Sequence, residues 1–176
     1  MKSNKQPIFD ANTVEFVTVA AEFCGFLERT LEMQPSEFVD RSLKLLPLLY
    51  LKASLLPECE PMDDMEPETF VTETDYEHVR SLIATQLGPD DDYLEVFLDE
   101  MAYSDTPIKQ NISEGLADIY QPLKDFVCVY SLGFDMTMND ALWRCKEHFS
   151  SYWGRTLVNV MRALHNIKYH GENSQQ

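Results

Sequence analysis

Glu114, Asp118 and Asp125 fall on one side of a stretch that reads as a helix. At about 100° per residue they lie roughly 200–240° around from Ile112. A carboxylate row of this kind is one way a bundle offers oxygen ligands to a divalent cation. The side they occupy is opposite the apolar stripe of the same stretch, so a solvated face is the expected role.

Other fragments of metal chemistry are present in halves. All-helical nucleotide pyrophosphohydrolases bind magnesium through paired ExxE and ExxD turns, and Glu37-x-x-Asp40 supplies one half. Di-metal bundles need Glu-x-x-His on two helices, and Asp75-x-x-His78 and Cys145-x-x-His148 are partial matches. The Asp90-Asp91-Asp92 run has Leu94 and Met101 where an EF-hand needs ligands. There is no GxSxG and no glycine-rich phosphate loop, the 6 glycines being scattered singly. No metal and no cofactor are expected, and no catalytic residue is assigned.

A basic row is the remaining candidate. Arg144, Arg155 and Arg162 stand 11 and 7 residues apart, at about 200–220° from Leu142, with His148 beside them. Guanidinium groups bind carboxylates bidentately, so these four are the candidate binding residues. The surface they would meet is acidic, either within this chain or on a partner. An exposed polar face is the plain alternative.

The elements that carry these residues read as helices. The segment Ile112 to Gly133 organises the chain: Ile112, Leu116, Ile119, Tyr120, Leu123, Phe126, Val127 and Tyr130 fall within a sector of roughly 120°. Asp10 or Asn12 caps a first helix running to about Met33. A second starts at Pro35, with Pro47 expected to kink or divide it. Residues 57–72 contain three prolines, many acids and no basic residue, and are expected to be a mobile loop. Thr74 with Glu77 suggests a capping box for a helix ending at Gly88, and Asn111 with Glu114 a second one. Tyr93 to Leu98 reads as helix or as a short extended piece. Leu142, Cys145, Phe149, Trp153, Leu157, Val160, Leu164 and Ile167 mark a final helix from Asn139 to about Lys168. Residues 1–9 and 171–176 are expected to fray.

Composition bounds the function. The 176 residues are 44% hydrophobic, enough for one domain with a real core, and no apolar run approaches the roughly 20 residues of a membrane span. The net charge of −16 sits almost entirely between Glu58 and Asp105, where 16 acids face the single Arg80. That field repels phosphate backbones, so neither nucleic acid nor an anionic membrane is an expected partner. The 4 cysteines form no CxxC, and the first residues carry no apolar leader, which points to a cytoplasmic protein with reduced thiols.

Three blocks are family-like: Phe16 to Glu28, Ile112 to Lys124, and His148 to Leu157 followed by Ala163-Leu164-His165. Together they resemble domain of unknown function 5063, an uncharacterised bacterial family of Bacteroidetes type. The resemblance implies an all-helical fold and brings no reaction or site residue with it. The expectation is therefore an all-α, single-domain bundle of five or six helices with an irregular acidic loop in its middle. Its function is expected to be non-catalytic, a protein-interaction or regulatory domain whose partner is another protein or a second copy. The alternative is a metal-dependent hydrolase of nucleotides using bundle carboxylates.

Overall fold

The computed structural model describes residues 6–95 and 108–171. Its helices are α1 (Ala11–Glu28), α2 (Pro35–Ser54), α3 (Glu73–Leu87), α4 (Ile112–Leu132), α5 (Asp135–His148) and α6 (Gly154–His170). A π-helical turn, Phe149–Trp153, fuses α5 and α6 into one long rod. Two short antiparallel strands, β1 (Asp92–Glu95) and β2 (Ile108–Asn111), complete an otherwise all-α fold.

Helix α4 is the central rod. It packs against α1, α3, α5 and α6, while α2 closes the bundle against α1 and α6. Its stripe explains this placement: Ile112, Leu116, Ile119 and Leu123 are fully buried, and Tyr120 and Phe126 nearly so. At the bundle centre Phe16 lies 5.6 Å from Phe126 and 6.5 Å from Trp153, ring centre to ring centre. Trp153 is fully buried and donates its indole N–H to the Cys145 carbonyl at 3.3 Å. The π turn around it depends on Gly154. The Gly154 N–H bonds to the Phe149 carbonyl, and a Cβ there would sit 2.6 Å from that oxygen.

Several local expectations are corrected. Pro47 does not divide α2, which runs unbroken from Pro35 to Ser54, and Pro122 likewise lies inside a continuous α4. The box that caps α3 is Thr72 with Asp75, two residues upstream of the expected pair. Helix α4 is not capped by Asn111 and Glu114. Its Ser113 N–H and hydroxyl both donate to Asp91, at 2.7 and 2.6 Å, so a buried carboxylate from before β1 takes the cap role. Tyr93 is in β1, and residues 96–98 lie outside the described residues. Residues 7–9 do not fray: Pro7–Phe9 is a 3-10 turn, Ile8 is 1% exposed, and its carbonyl accepts from Tyr130 at 2.8 Å. Residues 1–5 and 172–176 lie outside the described residues.

Residues 57–72 are irregular, as expected, and are held by specific side-chain contacts. They form a strap tied along the bundle surface. The Asp140 carboxylate accepts from the Met62 and Asp63 backbone N–H groups at 2.7 and 3.0 Å. Asp125 accepts from those of Phe70 and Val71 at 2.7 and 2.8 Å. The Asn139 amide donates to the Glu60 carbonyl at 2.7 Å, and Lys146 pairs with Glu58 at 2.7 Å. Side-chain acceptors on α4 and α5 add to the strap's few apolar anchors, Cys59 and Val71, which pack against the core.

Candidate functional site

Between the strap, α4 and α5 lies a cavity of about 410 Å³. Its floor is apolar, formed by Pro122, Phe126, Val129, Ala141 and Cys145. Asp118 and Asp125 project from α4, Arg144 and His148 from α5, and Tyr152 from the π turn. Pro67, Glu68 and Thr69 of the strap form the roof. The volume falls in the range of small-ligand sites, and the lining has the composition such sites share: an apolar body with few polar groups.

The α4 carboxylates are occupied in holding the fold. Asp118 accepts from the Tyr76 hydroxyl at 2.7 Å and from the Tyr152 hydroxyl at 2.9 Å, linking α3, α4 and the π turn. Burial first, and then these bonds to an ionised acceptor, push Tyr152 up to about 12 and raise Tyr76 further. Asp125 gives one oxygen to two strap N–H groups. The row expected to be a solvated face is thus a tethering face, with Glu114 left exposed at its end.

The α5 wall is different in kind. Arg144 reaches the strap's Glu66 at 3.2 Å, a pair in which Glu66 is 81% exposed. His148 is half-buried, and its imidazole is held below its ordinary range, first by burial and then by the Arg144 charge, with Glu66 opposing. Burial drives the Cys145 thiol well above its usual value, so it is a poor nucleophile despite lining the cavity.

The structure divides the candidate binding residues. Arg144 and His148 meet at the cavity. Arg155 is exposed beyond it, and Arg162 lines a separate apolar groove between α2 and α6 with Leu43, Pro47, Tyr50 and Met161. The row assumed one helical period, and the π turn inserts a residue between Arg144 and Arg155, rotating the side chains of α6 by about 100° relative to those of α5.

The metal half-motifs are accounted for by local roles. Glu37 pairs with Arg41 at 2.6 Å, and Asp40 bonds to Lys44 and Lys168, which hold its carboxyl down to about 2. Asp75 and Asp91 cap helices, and Asp92 pairs with Lys109 at 2.8 Å. Among the described residues, no three His, Cys, Asp or Glu side chains gather where they could hold a metal ion. What sequence reasoning missed is the pairing of Asp118 with Tyr76 and Tyr152, and of Asp125 and Asp140 with the strap. The seven-residue spacing of Asp118 and Asp125 was the one available signal, and it marks a shared side without naming the donors.

Comparison with known proteins agrees with this fold. The family model described as "Domain of unknown function (DUF5063)" matches residues 7–170. The crystal structure of protein BF1032 from Bacteroides fragilis is similar at 57% identity, covering 94% of this chain and 97% of that one, with a TM-score of 0.85. No curated protein matches the chain. A bundle with these helices, matched by the family model along nearly its whole length, belongs to the DUF5063 family.

Proposed function

We propose that this protein is a non-catalytic, cytoplasmic binding domain of regulatory kind, and that its ligand site is the strapped cavity between α4 and α5. The observation that carries this reading is the cavity itself: an apolar floor, Arg144 and His148 on one wall, and a roof formed by a segment tied through side chains. A roof of that kind can respond to what lies beneath it and present a changed surface to another protein or to a second copy. The two α4 carboxylates of the lining are engaged in holding the fold, Asp118 by two phenols and Asp125 by backbone N–H groups. Four free cysteines support the reducing compartment, and the charge of −16 argues against nucleic acid and anionic membranes as partners. Among the described residues no helix is long and apolar enough to cross a membrane.

The test is hydrogen-exchange footprinting of the protein recovered with its bound material from native cytosol. Protection concentrated in the amides of Glu66, Glu68, Thr69 and residues 144–152 is expected. Protection confined to the α2–α6 face would overturn the assignment. So would phosphate release from a nucleotide panel with magnesium that disappears in Asp118→Asn.

A further inference from the structure

The strap has two fixed points with a free span between them. Met62 and Asp63 are held by Asp140, and Phe70 and Val71 by Asp125. Residues 64–69 run between these anchors, and three of them, Pro67 to Thr69, lie over the cavity. Within this span the charged link to the helices is Glu66 to Arg144 at 3.2 Å. Side chains in that pair are 36% and 81% exposed, Arg144 and Glu66 respectively, so it is a surface pair that binds weakly and exchanges readily.

Glu66 thus places a carboxylate of the chain on the arginine that lines the cavity. Building on the ligand-site reading above, we infer that the span 64–69 is a lid latched by Glu66 on Arg144, and that the cavity takes a small organic acid with an apolar body whose carboxylate replaces Glu66. Three features of the lining match such a molecule. The guanidinium fork of Arg144 is built for a carboxylate, and the neutral imidazole of His148 stands one helical turn away to donate or accept a hydrogen bond. Phe126, Val129 and Ala141 receive the hydrocarbon. Of the acidic groups in the lining, Asp118 is turned to two hydroxyl donors and Asp125 to two backbone donors, and Glu68 moves with the lid, so Arg144 is the group left to meet a carboxylate.

The latch makes an unusual directional prediction. An internal carboxylate that competes for Arg144 lowers the apparent affinity by the fraction of time the latch is open. Glu66→Gln removes the competitor and should tighten binding about two- to fivefold, the range set by a surface ion pair. Arg144→Gln should weaken it at least about tenfold. Both side chains are partly solvent-exposed, so neither change threatens the fold.

The experiment titrates hexanoate and 3-phenylpropionate, then hexylamine and phenethylamine as charge-reversed counterparts, into the full chain at low salt. Backbone amide shifts of Glu66, Glu68, Thr69 and residues 144–152 are followed in parent, Glu66→Gln and Arg144→Gln proteins. Saturable shifts with the acids, absent with the amines and tightened by Glu66→Gln, are expected. Amines that bind in place of the acids would overturn the ligand class and leave the cavity reading standing. Acids that bind no tighter to Glu66→Gln would overturn the latch. If all four compounds leave these amides unmoved while bound native material also fails to protect them, the cavity reading falls as well.

Discussion

Replacing Asp140 with Asn tests whether carboxylates tie the strap down. Asp140 is 6% exposed and accepts from three donors, the Met62 and Asp63 N–H groups and the Asn139 side chain. Asn keeps one acceptor oxygen and turns its NH2 toward a backbone N–H. One charge-assisted bond is lost and the others become neutral. A hydrogen bond to a charged group contributes about 1.5–3 kcal/mol, and the strap N–H groups recover part of this from water. A cost of about 2 kcal/mol at this anchor raises the open population roughly 30-fold. Amide exchange at Met62 and Asp63 should accelerate by that factor, while Phe70 and Val71, held by Asp125, keep their protection. A glutamate-specific protease should cut within residues 58–68 correspondingly faster. Unchanged exchange at Met62 and Asp63 would refute the reasoning. Equal acceleration throughout the helices would also refute it, because Asp140 would then support the whole fold and not the strap.

Other changes probe the packing and the cavity. Gly115→Ala would place a methyl 2.5 Å from the Val160 side chain, where α4 meets α6, and should cost about 1–3 kcal/mol by urea denaturation. A parent-like midpoint would mean that the helices separate freely. Ser113→Ala removes the hydroxyl that donates to buried Asp91 and should cost about 1–2 kcal/mol, again read from the urea midpoint. His148 has a folded pKa below the ordinary imidazole value of about 6.5, so the unfolded chain takes up its proton first as pH falls. Stability linked to this group is therefore present above about pH 6.5 and is lost on the way down to the lower folded value. The melting temperature of the parent should fall more steeply across that window than that of His148→Gln. Parallel profiles would show that the imidazole is not held neutral.

Much of the fold is legible in the sequence because helices are local. Ile112, Leu116, Ile119 and Leu123 give the central rod directly, since a 3.6-residue period maps sequence onto one face whatever surrounds it. Asp10 caps α1 as its position suggests, accepting from the Asn12 N–H at 2.9 Å. Only the tertiary structure decided the strap and the cavity. The Asp140 and Asp125 acceptors meet N–H groups 78 to 54 residues away, and every non-proline residue carries the same N–H, so nothing in the sequence marks which ones a carboxylate will take. The partition of the basic residues was hidden for a related reason. One extra residue in the π turn, made possible by Gly154 beneath the Phe149 carbonyl, leaves Arg144 and His148 at the cavity and turns Arg155 and Arg162 elsewhere, and it leaves the apolar spacing that a helical period detects almost untouched.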